Sequence, residues 1–459
     1  MNLIGIIILT VLICLVLAGS WRTALMGMMA GVLYLTQAQQ IEVAGFNFFA
    51  IRFLELAGFV RVISRREFSF RQWNGLDRAL LLLYGYTATV FLLRSTEGVG
   101  NQVGMAVDAL LCYFTFRGLI RGMDEFFWFL RALVILLVPY TLFVVIESGT
   151  DHNIFSSLGG ITGGEHWMRH GRPRCFGSFR QPDTLGMFGA CFLPLYIALA
   201  CIKTERKRAV AGIGLCLIIV WAANCGGAAS AAAASLLGWG LWRVRAQMRK
   251  VRWCLVGLIV ALALIMKSPV WYIFARASSI TGGDGWTRSY LFDKTYEHFG
   301  QWWLAGMPLI DTRSWFPFVL PGTGTADITN GYIWFGLTAG LGAMVLFISL
   351  LTRAFSHLGK AMAIVRSGPH QSDGAEFLLW GLGVMLLVHI VNWFGIIYFD
   401  QMYVVWFMQL AAISSISGGW LGRPSPESVT TEFSEQTEVS PLFQLDEQAP
   451  QNVTRPRGI

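Results

Sequence analysis

The sequence predicts an all-α, polytopic membrane fold, and three observations carry that expectation. Of the 459 residues 55% are hydrophobic and only 14% are charged, where a soluble domain carries about a quarter charged residues. The charges are bunched between long uncharged stretches such as 3–18 and 132–146. The apolar runs are long and do not alternate, which argues against a membrane β-barrel.

About thirteen (12–14) spans follow in order, near 3–18, 23–37, 44–62, 78–93, 101–117, 127–146, 184–202, 208–223, 226–242, 253–267, 328–352, 376–396 and 401–418. The first run, MNLIGIIILTVLICLVLAGS, has no basic residue ahead of it, and the first positive charge is Arg22. It reads as an uncleaved helix with its N-terminus external. The second span is short. The ninth, GGAASAAAASLLGWG, is built of small residues that let helices approach closely. Residues 1–420 form the expected membrane domain. Residues 421–459, rich in Pro, Ser, Glu, Gln and Thr, read as a disordered cytoplasmic tail.

Lys and Arg crowd one set of alternate loops, including Arg65, Arg66 and Arg71, Lys203 to Arg208, and Arg243 to Arg252. That set is expected in the cytoplasm. Loops 147–183 and 268–327 then lie outside, yet they hold Arg169, Arg172, Arg174 and Arg180, and Arg276, Arg288, Lys294 and Arg313. Two readings explain these exceptions. One is contact with phospholipid headgroups. The other is a bound lipid phosphate or pyrophosphate, whose oxygens a guanidinium grips bidentately.

The chain has no Asp-x-Asp pair, no HExxH and no P-loop pattern. No metal site and no cofactor is therefore assigned, and a phosphate site would rest on arginines, which can stabilise a leaving diphosphate. The net charge of +8 sits in membrane-flanking loops, and no basic face interleaved with aromatics recurs, so no nucleic-acid partner is expected. The eight cysteines lack C-x-x-C spacing. Cys175 and Cys225 alone are placed outside apolar spans, where a disulfide between them is conceivable.

Four segments, in order, resemble the O-antigen ligase and polysaccharide polymerase superfamily. Arg174-Cys-Phe-Gly177-Ser-Phe179 followed by Pro182-Asp183 is similar to its R-x-x-G-x-F…P-N/D segment. TRSYLFDKTYEHF, 287–299, resembles the arginine-bearing start of its large external loop. WWLAGMPLIDTRSWFP loosely resembles its P-x-x-G-x-G region, and DITNGYIWFGLTAGLGAMVLF, 327–347, its HN-x-Y-L…G-L-x-G-L helix start. The resemblance covers roughly 165–355. It implies a metal-independent, GT-C-like glycosyltransferase of the bacterial inner membrane, with membrane lipids around it. The donor would be an undecaprenyl-diphosphate-linked oligosaccharide, and polysaccharide assembly and export proteins are possible partners. Arg174 and Arg288 match the family's diphosphate-binding arginines, and Arg180 joins them as a candidate.

Where ligases carry a histidine before the motif's Asn, this chain has Thr329 before Asn330. Threonine cannot act as a base near neutral pH, so a polymerase is expected ahead of a ligase. The rival of another class is a lipid-linked glycan flippase, for which midplane charges and repeats are the signature. Asp327 is the nearest ionisable group and the expected base, with Thr329 and Asn330 orienting the acceptor; capping of a helix start is the equal alternative. Asp183 is a cap candidate of the same kind. His152, His166, His170 and His298 read as solvated or structural. Arg52 and Glu55, three apart on one helix face, suggest either a mutual pair or a functional site. Asp108 and His389 read as interhelical hydrogen bonders or as cavity-lining groups.

Overall fold

The computed structural model describes residues 1–421 except 44–45, 69–72, 95–98, 160–167, 170, 274, 277–284, 316–323 and 368–373. Leu421 ends the last helix, and the rest of the expected tail lies outside the described residues, as do His166 and His170. The protein is helical, and every expected span falls on a helix. In order these are α1 (Leu3–Ala18), α2 (Trp21–Tyr34), α3 (Ala50–Ser64), α4 (Gly75–Arg94), α5 (Val99–Leu119), α6 (Met123–Thr150) and α7 (Pro182–Ala200). There follow α8 (Arg206–Ala223), α9 (Gly226–Gly240), α10 (Met248–Ile265) and a loop helix α11 (Gly285–Glu297). The last three are α12 (Gly331–Ser367), α13 (Ala375–Trp393) and α14 (Gln401–Leu421). Among the described residues, α4, α6, α7, α12, α13 and α14 are long and apolar enough to cross a membrane.

Three boundaries differ from the hydropathy pattern. Residues 46–49 pair with 40–43 as an antiparallel hairpin, so α3 begins at Ala50 rather than 44. Phe46, Phe48 and Phe49 are residue types that favour strands, yet hydropathy alone reads them as helix. Helix α6 runs on to Thr150, so Glu147 is part of it rather than the start of a loop. Helix α12 extends through Arg353, Lys360 and Arg366, which mark the end of its apolar stretch but not of its backbone hydrogen bonding.

Small residues on α7, α8 and α9 let these helices close in. A side chain at Gly189 of α7 would stand 2.8 Å from the Cys216 carbonyl of α8, and one at Gly186 would stand 2.5 Å from the Ala228 Cβ of α9. Ala228, Ala231 and Ser235 of α9 are buried. This is the close packing that the ninth span's composition predicts.

Helix α12 breaks at Ala339–Gly340, where Gly340 takes φ +81°. The freed backbone groups are met by protein. Arg94 donates to the carbonyls of Ala305, Leu337 and Thr338 at 2.8, 3.3 and 2.9 Å. Met307 N donates to Leu337 O, and Leu341 N to Trp303 O. Irregular backbone at membrane depth is tolerated only when satisfied in this way.

The bundle has two distinct polar ends. At one, buried Arg61 donates to Glu67 and to the carbonyls of Val16 and Gly19, and Asp77 accepts from Tyr113, Arg117 and Ser414. The other collects the N-terminus, the 35–40 and 153–158 segments, the 174–181 turn and the 394–400 loop. There Met1 N donates to Gln40 O, Asn2 Nδ2 to Ser157 O, and Gln401 Nε2 to both Leu35 O and Ser178 O.

Candidate functional site

The segment Arg174-Cys-Phe-Gly-Ser-Phe-Arg180 is held in a fixed turn by one carboxylate. Glu147 Oε1 accepts from Phe176 N at 2.8 Å and from Asn153 Nδ2 at 3.0 Å, and Oε2 accepts from Gly177 N at 2.9 Å. Asn153 Nδ2 also donates to Gly177 O. Gly177 has φ +55°, and a side chain there would meet Tyr140 Oη at 2.3 Å. No other residue type fits both the left-handed backbone and that contact. Cys175 and Phe179 are buried beneath the turn. Burial pushes the Cys175 thiol up to about 12, with Glu147 adding to the shift, so it is an inert core group. Cys175 and Cys225 are both free thiols, so no disulfide joins them.

The arginines of this segment separate. Arg172 lies over Trp221, 4.6 Å from the ring centroid, and donates to Asn224 Oδ1. Asn224 Nδ2 in turn donates to the Arg169 carbonyl at 2.8 Å. Arg174 is half-buried and ion-paired with Asp183 at 2.8 Å. Asp183 is the second residue of α7 behind Pro182, so it is a first-turn acid paired to arginine and not the cap. Arg180 is exposed, sits 5.7 Å from the Phe399 ring centroid, and lines a cavity of about 320 Å³.

That cavity gathers residues distant in sequence. Arg52 and Glu55 enter from the first two turns of α3, Gln102 and Asp108 from α5, Trp334 from α12, 397–400 from the loop before α14, and Gln401 and Tyr403 from the start of α14. Arg52 pairs with Asp108 at 2.8 Å through both Nε and Nη2, not with Glu55. Glu55 Oε2 is buried with no partner among the described residues. Asp400, with φ +52°, accepts from Gln37 Nε2 through Oδ1, while its Oδ2 is buried with no partner among the described residues. Burial raises the Asp400 carboxyl to about 7, against the pull of Arg180 and then Arg52.

The remaining expected residues stand around the start of α12 and the 394–400 loop. Asn330 caps α12, its Oδ1 accepting from Ile333 N at 3.0 Å, so the cap is Asn330 and not Asp327. Asp327 is exposed, and its carbonyl accepts from Thr329 N. Thr329 Oγ1, Asn330 Nδ2 and Trp393 Nε1 are buried without partners among the described residues. Gly331 lies directly against the Trp393 ring. Two residues beyond Trp393 is Gly395, where a side chain would stand 3.4 Å from the Arg288 guanidinium carbon. Arg288 of α11 therefore reaches the same loop whose far end carries Asp400.

His389 is not in the cavity wall, but its Nδ1 stands 2.6 Å from the Oη of Tyr398, which is. His298 stacks on Trp315 and its Nδ1 is 2.8 Å from the Lys294 carbonyl, a structural role. His152 is exposed. Asp400 escaped the sequence reading: it is a single carboxylate at a helix start, with no motif around it, and only the tertiary fold brings it to Arg180. Among the described residues no group of His, Cys, Asp and Glu is placed to hold a metal ion. No protein-family model matches the chain, and no curated protein matches it.

Proposed function

We propose that this chain is a metal-independent membrane glycosyltransferase of the O-antigen ligase and polysaccharide polymerase superfamily, and that it polymerises lipid-linked repeat units. In this reading thirteen helices cross a bacterial inner membrane, with the N-terminus and the arginine loops outside and the C-terminus in the cytoplasm. A glycan passes from undecaprenyl diphosphate to a sugar hydroxyl of a second lipid-linked unit. Arg174, Arg180 and Arg288 meet the charge of the departing diphosphate, and Thr329 and Asn330 supply polar contacts to substrate.

The observation that supports it best is convergence. Arg180, from the segment that resembles the family, lines a polar and aromatic cavity bounded by the start of α12 and the 394–400 loop, and Arg288 of α11 reaches that loop. Thr329 in place of histidine favours polymerase over ligase. The helix-borne charges Arg52, Glu55 and Asp108 are what a flippase would also carry. Arg52 and Glu55, however, lie in the first two turns of α3, near the arginine-loop end. That suits a site open to one side better than a path through the bundle.

The test is reconstitution of the purified protein in liposomes with an undecaprenyl-diphosphate-linked repeat unit. Ladders of longer glycans are the expected product. Movement of the unit across the bilayer without lengthening would turn the assignment to a flippase, and transfer only onto a lipid A core would turn it to a ligase.

A further inference from the structure

We propose that the cavity is the acceptor subsite, that it seats a single sugar residue, and that Asp400 takes the proton of the attacking hydroxyl. This rests on the glycosyltransferase reading and adds to it the seat of the acceptor and the base.

Size comes first. At about 320 Å³ the cavity is at the small end of ligand pockets, which run about 300–1,000 Å³. That is room for one sugar ring. Its walls are also of two kinds. Trp334, Tyr398, Phe399 and Tyr403 offer aromatic surface, while Gln102 and the carboxylates offer hydrogen-bond partners. A sugar ring presents the same division, with C–H faces and a rim of hydroxyls.

Proton transfer needs an acceptor atom with a free lone pair. Of the Asp400 oxygens, Oδ1 is already bonded to Gln37, and Oδ2 is buried with no partner among the described residues. A left-handed backbone holds the residue in place, and Gln401, next in the chain, is fixed to Leu35 and Ser178. The charged and titratable groups facing Asp400 are Arg180 from the turn before α7, Arg52 and Glu55 from α3, Asp108 from α5, and Tyr398 and Tyr403. Asp108 is already bonded to Arg52, and Glu55 lies deeper behind it, 3% exposed. Asp400 is the carboxylate next to Arg180.

The step balances as follows. The acceptor O–H proton passes to Asp400 Oδ2. The oxygen's electron pair forms the new bond to the donor's anomeric carbon. The bond from that carbon to the diphosphate oxygen breaks, and its electron pair leaves on undecaprenyl diphosphate, whose added charge faces the arginines. Deprotonated Asp400 is the active form, and its pKa is about 7. Turnover therefore rises with pH through about 7 and levels off above it.

The experiment uses proteoliposomes, full-length donor at fixed concentration, and a short-prenyl diphosphate repeat unit titrated as acceptor. Asp400→Asn is expected to lower turnover about 100-fold or more, to remove the pH dependence, and to leave the donor KM within about twofold; Asp400→Glu restores part of the rate. Because burial raises the folded pKa above the unfolded value near 3.8, ionised Asp400 disfavours folding from about pH 4 upward, with the full effect above 7. Asp400→Asn should accordingly melt no lower than wild type at pH 8, which separates lost chemistry from lost fold. Met105→Trp, which fills the cavity from α5, should raise the acceptor KM at least tenfold and the donor KM by less. Wild-type rates and an unchanged pH profile in Asp400→Asn, beside an active wild type, overturn this inference alone. A wild type that transfers nothing overturns the reading beneath it as well.

Discussion

Replacing Glu147 by alanine should release the turn that carries Arg174 and Arg180. Its carboxylate is the acceptor for the Phe176 and Gly177 amides at 2.8 and 2.9 Å, and it is 6% exposed, so water does not replace it without opening the turn. Each orphaned buried amide costs about 1–3 kcal/mol. Two of them amount to about 4 kcal/mol, close to a thousandfold shift in the opening equilibrium, since about 1.4 kcal/mol is tenfold. Cys175, between Arg174 and Phe176, reports that opening directly because it is wholly buried in the closed turn. With exposed Cys14, Cys201 and Cys254 changed to serine, a thiol reagent should modify Cys175 about 10³ times faster in Glu147→Ala than in wild type, in the regime where reclosing outpaces labelling. Glu147→Gln keeps one acceptor oxygen and should fall between. Equal labelling rates in all three proteins would refute the claim that this carboxylate holds the turn.

Three further outcomes follow from the same structure. Arg174→Ala and Arg288→Ala should abolish polymer while the protein remains in the membrane, and lysine should rescue poorly because an ammonium lacks the bidentate fork; full activity of either alanine variant returns that arginine to headgroup contact. Arg61→Leu takes the two-point partner from Glu67 at the opposite end of the bundle and leaves it only Arg121 at 3.8 Å, which should cost about 1.5–3 kcal/mol and lower the melting temperature in detergent, with Glu67→Gln in the same chain recovering part of it; additive losses would contradict the pairing. Cysteines placed at His152 and Gly300, both exposed, should react with an impermeant reagent in intact spheroplasts, and one at Gly359 should not; the reverse pattern inverts the topology.

Much of the fold is legible in the sequence because hydropathy is a local property. Each expected span overlaps a helix, and among the described residues six of these helices are long and apolar enough to cross a membrane; small residues of GGAASAAAASLLGWG pack closely against a neighbour. The pairing of 40–43 with 46–49 was not legible, since Phe-rich strands and apolar helices score alike. The site was legible where a local device marks it. The arginines stood out as exceptions among the loops, but the left-handed turn at Gly177 and the Asn330 cap came only with the fold, where the sequence had offered Asp327 as the cap. The pairing of Arg52 with Asp108, 56 residues away, and the meeting of Asp400 with Arg180 are tertiary events. Helix spacing pointed Arg52 toward Glu55, and nothing near Asp400 in sequence distinguishes it from a capping residue.

The most direct test of the account is the stoichiometry of bond formation by the purified protein in liposomes with chelator present. For each repeat unit added to the growing glycan, one free undecaprenyl diphosphate should appear, at a rate that falls when Arg180 is changed to alanine. Glycan that never lengthens, or undecaprenyl diphosphate released without lengthening, would contradict it.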